Sequence, residues 1–346
     1  VYHGAIHYWV HDGGELYDYF RPDSGYGFTY PPFAAVAMLP LAVFGWHPAI
    51  AANLVLSTAV AAGLLHFLVD PIARREGWSR WYTFGLAACL FAMLGPVRDT
   101  FSFGQINLLL VGLVYADLWL LSRCGTRRFA GVGIGLAAAV KLTPAIFIAY
   151  LLLTRRWRAA GVATGTAAGA TLLAAAVAPD ASRAYFTDLL WDTGRIGSLD
   201  YVSNQSLMGF VARLDPQHPS RLLWITLVAA VLAVWAWRVR GADERAGWAL
   251  TGAAACLVSP ITWVHHLVWL VPGLVVLADS VLPWKSRNPL RLWSGVAAYA
   301  TLATGVVWLW SGPDPLPFGG IGVLGANAFV IVTLAMLARL PTQARI

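Results

Sequence analysis

The chain has 346 residues, of which 58% are hydrophobic and 12% are charged, and its mean hydropathy is +0.64. These values exclude an ordinary soluble domain, and the apolar runs approach the length that spans a bilayer. The formal net charge is +7, but the arginines lie in turns between apolar runs, so membrane topology explains the charge better than nucleic-acid binding.

Apolar runs separated by short arginine-bearing turns predict helices, because backbone polar groups must be satisfied internally within a bilayer. The two-residue alternation typical of a membrane β-barrel does not occur in the sequence. Cys89, Cys124 and Cys256 show no metal-ligand spacing, and we expect small apolar fillers rather than a disulfide framework. The sequence therefore predicts an all-α integral membrane protein with a single domain over residues 1–346.

The first 30 residues are polar and aromatic, and they open at Val1 as if a membrane segment preceded them, so we expect a truncated start. His3, His7 and His11 recur at four-residue spacing and would share one helical face. One interpretation is a set of metal ligands. The interpretation that we favour is an interfacial helix whose aromatic residues lie at headgroup level.

Pro31 and Pro32 end that segment and open the next, because proline suits a first helical turn. The apolar run at residues 33–46 is short for a span, so we expect a half-inserted or juxtamembrane helix there. Residues 1–46 together should form an outer loop with juxtamembrane helices. Full spans are expected at residues 48–69, 81–97, 105–122, 157–178, 220–237, 290–310 and 320–338.

Two further apolar regions, residues 129–154 and 247–280, have arginines on both sides and do not fit as single spans. If the arginines stay on the cytoplasmic side, each region must enter the membrane and return. A polar break stands where each turn would fall, at Lys141–Pro144 and at Ser259–His266. With these paired short helices, about 11 membrane segments are expected.

This placement leaves most basic residues inside and most acidic residues outside, as the positive-inside rule requires. The outer side then holds residues 1–30, the stretch Arg98–Gly104, an outer loop at residues 179–206 and both polar breaks. We therefore expect the unusual chemistry of the chain to converge on one side of the membrane.

Lys141 lies among alanine, valine and leucine, where a lysine is costly if it faces lipid. We expect its ammonium to bind a phosphate or diphosphate as a point charge, and Pro144 frees backbone groups that could contact the same anion. The alternative is that the ammonium snorkels to the interface or pairs with an acid.

His265 and His266 follow Trp263 at the second break. Adjacent histidines on a helix point about 100° apart, so one of them is expected to face a cavity as a hydrogen-bond donor or proton shuttle. The alternative is a satisfied interfacial histidine.

Two helices of the predicted set open with polar residues. Gln105 and Asn107, with Arg98 just before them, and likewise Asn204 and Gln205, could read sugar hydroxyls or lipid phosphate, since helix N-termini favour anions. Simple helix capping is an equal alternative.

Several of these pieces occur in the same order in one known family. They are Phe28–Phe33 (FTYPPF), Gly104–Asn107 (GQIN), Gly135–Pro144 (GLAAAVKLTP) followed by Arg155–Trp157, Asn204–Leu207 (NQSL) and Ser259–His266. On these motifs the chain resembles, from end to end, the bacterial integral-membrane glycosyltransferases of the GT-C fold, family 87. Within that family it resembles the actinobacterial polyprenyl-phosphate-mannose-dependent α-1,2-mannosyltransferases of phosphatidylinositol mannoside and lipomannan synthesis.

The resemblance implies a GT-C bundle in the plasma membrane that transfers mannose, with inversion, from polyprenyl-phosphate-mannose to a phosphatidylinositol mannoside on the outer side. Lys141 would bind the departing phosphate with help from Arg98, His265 or His266 would assist catalysis, and neither a metal nor another cofactor is expected. The residues expected to bind substrate are Tyr30, Gln105, Asn107, Asn204 and Gln205.

The resemblance implies that the general base is an aspartate just after the first span and a few residues before a Val-Tyr pair. That pair is here Val1 and Tyr2, so we expect the aspartate and the first membrane helix upstream of Val1. Acidic residues that could substitute show no motif match; they are Asp12, Glu15, Asp18 and Asp23.

Two other classes of protein remain open from the sequence. A transporter or lipid flippase also has broken helices and an intramembrane lysine, but it places them near the midplane in inverted repeats. A structural subunit of an envelope complex would not need Lys141 for sugar transfer.

Overall fold

The computed structural model describes residues 1–22, 24–122, 127–282, 288–311 and 319–343, so Asp23 and Cys124 lie outside the described residues. Within these ranges the chain is helical, and the extended pairing is an isolated bridge between Phe20 and Gly27. The all-helical prediction is therefore confirmed. The α-helices are α1 (Tyr2–Val10), α2 (Pro32–Ala37), α3 (Trp46–Glu76), α4 (Arg80–Met93), α5 (Gly95–Ser102), α6 (Asn107–Leu121), α7 (Val132–Val140), α8 (Ile146–Leu153), α9 (Trp157–Val177), α10 (Pro179–Ala184), α11 (Leu207–Leu214), α12 (Arg221–Arg240), α13 (Glu244–Val258), α14 (Val271–Ser280), α15 (Pro289–Thr304), α16 (Ile321–Ala326) and α17 (Ala328–Arg339).

The described chain divides into two compact units, with boundaries that fall inside α3 and α6. The first unit comprises Val1–Leu56 and Leu113–Ser198, and the second comprises Ser57–Gly112 and Leu199–Ile346. The expectation of one membrane domain, with outer loops at residues 1–46 and 179–206, stays a prediction.

In the first unit, α7 packs against α9 at very short range because α7 carries glycines on the contact face. A Cβ at Gly131 would lie 2.3 Å from the Ala159 carbonyl oxygen, and one at Gly135 would lie 2.5 Å from the Ala163 carbonyl oxygen. Because the contacts advance in the same sense along both helices, α7 and α9 run parallel. The chain between them, which contains α8, must therefore return, and the predicted reversal at Lys141 is confirmed.

The N-terminal segment of the first unit folds around a small aromatic core. Buried residues of α1 and α2 pack with Phe28 and with Tyr185. The three histidines of α1 lie on one face, and their Nε2 atoms donate to main-chain carbonyls of residues 41–44 at 2.8–3.3 Å. The described residues contain no group of three potential metal ligands, so the metal interpretation of His3, His7 and His11 is wrong.

In the second unit, α13 is the central helix and is buried along almost its whole length. It packs against α12, α14, α17 and the 3₁₀ turn Val264–Leu270. A Cβ at Gly252 would lie 2.9 Å from the Trp269 carbonyl oxygen, and one at Gly273 would lie 3.9 Å from the Cβ of Ala249. These contacts run in opposite senses along the chain, so the segment after Ser259 doubles back on α13, as predicted.

Three helices within the described ranges are long and apolar enough to cross a membrane: α3, α9 and α12. A fourth span is possible if α4 and α5, which meet at a bend of 74°, count as one. Shorter apolar helices occur at Asn107–Leu121, Thr143–Leu153, Val264–Ser280 and Ala328–Arg339. The structure therefore supports a membrane protein but does not confirm the expected count of about 11 segments.

The differences from the expected spans have local causes. The span expected at residues 81–97 ends at Met93, because Leu94 is extended and Pro96 starts a new helix. The span expected at residues 290–310 is interrupted at Gly305, whose φ of 65° ends α15. The span at residues 320–338 breaks at Asn327, and the short run at residues 33–46 divides into α2 and a 3₁₀ turn that contains Pro40.

Candidate functional site

Lys141 follows the last residue of α7 and has an extended backbone, with φ −151° and ψ 130°. The 3₁₀ turn Thr143–Ala145 begins two residues later, since proline cannot continue the hydrogen-bond ladder of α7. The side chain is half-buried, and its Nζ lies 5.1 Å from the centroid of the Tyr30 ring. This geometry is a cation–π contact, which attracts an ammonium to the ring face. The break thus presents a lysine whose position is set by an aromatic ring.

Tyr30 is itself held by two other tyrosines. The hydroxyls of Tyr2 and Tyr30 lie 2.8 Å apart, and the two rings stack with centroids separated by 5.3 Å. The hydroxyl of Tyr17 donates to the Tyr30 carbonyl at 2.8 Å. Burial raises the pKa of Tyr30 to about 12, so the ring faces Lys141 as a neutral phenol. Tyr2 and Tyr17 were not among the residues expected from the sequence.

His265 and His266 stand in the 3₁₀ turn of the second unit with their rings perpendicular and 4.6 Å apart. His265 is only 8% exposed, and its ring meets Phe103 edge-on at 5.9 Å. The main-chain N–H of Trp263 donates to Nδ1 of His266 at 3.1 Å. Because Nδ1 accepts this bond, the proton of a neutral His266 ring lies on Nε2. His266, which is half-buried, is therefore the better placed of the two as a hydrogen-bond donor.

Asn204 is completely buried and fixes the segment that leads to the histidines. Its Nδ2 donates to the carbonyls of Leu199 and Pro260 at 3.0 and 3.2 Å, and its Oδ1 accepts from the N–H of Thr262 at 2.9 Å. Ser206 adds a bond to the Pro260 carbonyl at 2.9 Å. The amide thus bonds to the main chain, a geometry that favours a positioning role.

Gln205 is equally buried and has the same kind of partners. Its Nε2 donates to the carbonyls of Val202 and Ala326 at 2.6 and 2.8 Å, and its Oε1 accepts from Val330 at 3.2 Å. Its main-chain N–H donates to the Thr262 carbonyl at 2.7 Å. Substrate binding by Asn204 or Gln205 stays a prediction, and direct contact would require these bonds to be exchanged.

The other expected residues of the second unit lie at α5 and at the start of α6. Arg98 is exposed, and its Nη2 donates to the Ala303 carbonyl at 3.1 Å. Gln105 is half-buried, whereas Asn107, the first residue of α6, is buried. The hydroxyl of Thr100 donates to the His265 carbonyl at 3.1 Å, which ties α5 to the histidine turn. The binding roles of Arg98, Gln105 and Asn107 stay predictions.

A buried arginine that the sequence analysis missed supports the same region. Nε and Nη2 of Arg213 donate to Oδ1 of Asn327 at 3.0 and 2.5 Å, and Nη1 donates to the Asn204 carbonyl at 2.9 Å. Burial lowers the pKa of Arg213 to about 10. Asn327 lies 114 residues from Arg213 in sequence, so no local pattern could have identified this network.

The described acidic residues of the N-terminal segment lie at the surface. Asp12, Glu15 and Asp18 are all exposed. The expectation of a general base upstream of Val1 is not tested by the structure. Lys141 and Tyr30 belong to the first unit and the histidines to the second, so their meeting at one site stays a prediction.

Comparison with known proteins places the chain in a family. The model of glycosyltransferase family 87 matches residues 28–260. A Mycobacterium tuberculosis (strain CDC 1551 / Oshkosh) protein is 33% identical over 96% of this chain and 78% of its own length. It is named polyprenol-phosphate-mannose-dependent alpha-(1-2)-phosphatidylinositol pentamannoside mannosyltransferase.

A Mycolicibacterium smegmatis protein is 35% identical over 81% of this chain and 67% of its own length. It is named polyprenol-phosphate-mannose-dependent alpha-(1-2)-phosphatidylinositol mannoside mannosyltransferase. No solved structure matches the chain. These relatives support a glycosyltransferase and not the transporter alternative. The chain belongs to glycosyltransferase family 87.

Proposed function

We propose that this glycosyltransferase moves mannose from a polyprenyl-phosphate-mannose donor to a phosphatidylinositol mannoside and forms an α-1,2 linkage. The names of the M. tuberculosis and M. smegmatis relatives support this donor and this class of acceptor. We further propose a GT-C bundle in the plasma membrane with its active site on the outer side. The observation that carries the proposal is the half-buried Lys141 ammonium, which lies over Tyr30 where an apolar helix is broken.

The reaction is a displacement at the anomeric carbon of mannose. The acceptor hydroxyl oxygen forms a bond to that carbon, the bond to the phosphate oxygen breaks, and polyprenyl phosphate leaves with the electron pair. The hydroxyl proton passes to a general base, for which we propose the carboxylate expected upstream of Val1. Negative charge grows on the departing phosphate, so a fixed cation there lowers the barrier.

Lys141 is proposed to supply that cation. An ammonium has three N–H donors, and the Tyr30 ring attracts it without accepting a conventional hydrogen bond. We propose that these N–H donors bind the phosphate oxygens when the donor lipid occupies the site. We propose that Arg98 contributes further positive charge to binding of the donor, and that Tyr30 positions Lys141.

His266 is proposed to donate from Nε2 to a reacting oxygen, because its Nδ1 accepts the Trp263 N–H. His265 is buried edge-on to Phe103 and is proposed to support the orientation of His266. Asn204 and Gln205 are proposed to act through the turn that they hold, whereas Gln105 and Asn107 are proposed to contact the sugar.

The test is transfer of radiolabelled mannose by the full-length protein in lipid nanodiscs, with polyprenyl-phosphate-mannose and a series of phosphatidylinositol mannosides. We expect Lys141→Met to lower kcat by about 10²- to 10³-fold, the usual effect of removing one charge-stabilising donor. Lys141→Arg should retain more activity than Lys141→Met because it keeps the charge. The unfolding temperature in detergent serves as the control for folding.

Full transfer by folded Lys141→Met would remove Lys141 from the site. The proposed function itself would be overturned if the wild-type protein used a sugar donor other than polyprenyl-phosphate-mannose. It would also be overturned if the protein transferred mannose to none of these acceptors. For the second unit, His266→Gln should lose more activity than His265→Gln, and the reverse order would contradict the assignment of the donor.

A further inference from the structure

Arg195 lies in the first unit on the 3₁₀ turn Thr193–Ile196, in the region that was expected to form an outer loop. Its guanidinium carbon is 4.9 Å from the centroid of the Phe20 ring, a cation–π contact with an exposed aromatic side chain. The residue is half-buried. Nevertheless, its Nε and Nη2 are shielded from solvent and make no hydrogen bond with any described residue.

Nε and Nη2 are a pair of guanidinium nitrogens that can bind two oxygens of one anion. The N–H bonds of Nε and Nη2 point side by side along one edge of the guanidinium, which is the edge that grips two oxygens of a phosphate or carboxylate. A cation that has lost water on this edge, without an acceptor in return, raises the free energy of the folded protein. An arrangement of this kind suits a site where a ligand supplies the missing acceptor.

No described carboxylate serves as this acceptor. Arginines of α3 and α4 form ion pairs with carboxylates, whereas Arg195 forms none with a described residue. The two acids that precede Arg195 in the chain have other partners: Asp192 accepts from the N–H of Gly194 at 3.1 Å, and Asp188 accepts from the Thr187 hydroxyl at 2.6 Å. The guanidinium edge is therefore not part of an internal salt bridge.

The aromatic core beside Arg195 also contains Tyr17, whose ring stacks on Tyr185 with centroids 6.0 Å apart. Burial raises the pKa of Tyr17, while the positive charge of Arg195 opposes that shift. The Tyr17 hydroxyl donates to the carbonyl of Tyr30, whose ring carries Lys141. Lys141 and Arg195 thus each contact an aromatic ring of the first unit, and the proposed function assigns a phosphate to Lys141 alone.

We propose that the Nε and Nη2 edge of Arg195 binds the phosphodiester of the anionic glycolipid that accepts mannose. This inference rests on the proposed function, in which Lys141 binds the monophosphate of the donor. The phosphodiester between glycerol and inositol is the anionic group of a phosphatidylinositol mannoside, and a guanidinium fork matches two of its oxygens. Arg195 would therefore select anionic acceptors and position them, without taking part in bond making.

The experiment compares two acceptors, a phosphatidylinositol mannoside and a matched diacylglycerol mannoside that lacks phosphate. In Arg195→Gln we expect the KM for the anionic acceptor to rise by about 10- to 100-fold, the range for loss of charge-assisted hydrogen bonds. The KM for the neutral acceptor and for the donor should not change. The KM of Arg195→Lys for the anionic acceptor should lie between those of the wild type and Arg195→Gln, since lysine keeps the charge but lacks the paired N–H donors of the guanidinium. Arg183→Gln, at an exposed arginine of α10, is the matched control.

Protein stability gives a second, independent readout. Because two of its nitrogens are buried without an acceptor, replacing Arg195 by glutamine should leave the unfolding temperature of the ligand-free protein unchanged or raise it. A lower unfolding temperature would assign Arg195 a structural role and overturn the proposal. If the KM of Arg195→Gln rose equally for the neutral acceptor, or rose for the donor, the proposal would be overturned as well.

Direct binding separates this proposal from the proposed function. Short-chain phosphatidylinositol should bind wild-type protein in neutral detergent more tightly than Arg195→Gln, whether or not mannose is transferred. Equal competition by short-chain phosphatidylglycerol would assign the edge to bulk lipid and overturn the acceptor assignment. Failure of the wild type to transfer mannose, with this difference in binding intact, would overturn only the proposed function.

Discussion

The contact between Lys141 and Tyr30 predicts a coupling that can be measured. Tyr30→Phe keeps the ring and removes the hydroxyl that lies 2.8 Å from the Tyr2 hydroxyl. Tyr30→Leu removes the ring face as well. If the ring positions the ammonium for the donor phosphate, Tyr30→Leu should lower kcat/KM for the donor more than Tyr30→Phe does. This difference in kcat/KM should disappear when Lys141 is also replaced.

The magnitudes follow from the two contacts. One buried hydroxyl pair is worth about 1 kcal/mol, so Tyr30→Phe should lower kcat/KM for the donor by about fivefold. The cation–π contact at 5.1 Å adds about 0.5–2 kcal/mol, so Tyr30→Leu should lower kcat/KM by about 10-fold or more. Both side chains are half-buried, which places the expected value above that of a fully solvated contact.

The assay is a double-mutant cycle on kcat/KM for polyprenyl-phosphate-mannose, built from Tyr30→Leu, Lys141→Met and the combined variant. A positioning contact requires a coupling energy of about 0.5–2 kcal/mol between the two sites. Tyr26→Leu, at an exposed tyrosine of the same segment, should leave kcat/KM unchanged. A coupling energy indistinguishable from zero, in folded variants, would refute the view that Tyr30 positions Lys141.

Two further predictions concern the packing that supports the site. Asn204→Ala removes the side-chain acceptor of the buried Thr262 N–H, so the free energy of unfolding should fall by about 1–3 kcal/mol. Thr226→Ala on the exposed surface of α12 is the control, and an unchanged unfolding temperature for Asn204→Ala would contradict the positioning role. Gly133→Ala would place a Cβ 2.1 Å from the Leu113 carbonyl oxygen and should prevent folding. The control is Gly165→Ala on α9, whose Cβ would meet nothing within 4 Å, so this variant should be neutral or stabilised by about 0.5–1 kcal/mol. Similar yields of folded protein for the two variants would show that α7 and α6 are not in such close contact.

The continuous helices could be read from the sequence because their limits are local. α9 begins at Trp157 and ends at Val177, within one residue of the expected span, since arginines precede it and a proline follows it. The bend after Met93 was missed because the apolar run continues through it, so hydropathy carries no sign of the interruption. The same is true of Asn327, whose place is set by Arg213 from a distant helix.

Side-chain partners were less predictable than side-chain faces. The spacing of His3, His7 and His11 correctly placed them on one side of α1, but nothing local indicates that their partners are carbonyls of residues 41–44. Likewise, a polar pair before α11 is compatible with substrate binding or with support, and only the bonds of Asn204 and Gln205 distinguish these roles. Sequence patterns specify which groups are available, whereas tertiary contacts decide which of them are already used.

The same distinction applies to the polar side chains that each unit holds at a helix break, Lys141 in the first and His266 in the second. A broken helix leaves main-chain groups unsatisfied, and a flexible break could not present a charge in a fixed direction. In the second unit, buried amides occupy the main-chain groups around Pro260 and Thr262, which leaves the ring of His266 oriented by its own bond to Trp263. In the first unit, stacked tyrosines rather than amides lie beside Lys141, and a ring face attracts an ammonium without accepting a conventional hydrogen bond from it. Rigid support by groups outside the reaction is therefore the physical requirement that the roles proposed for Lys141 and His266 share.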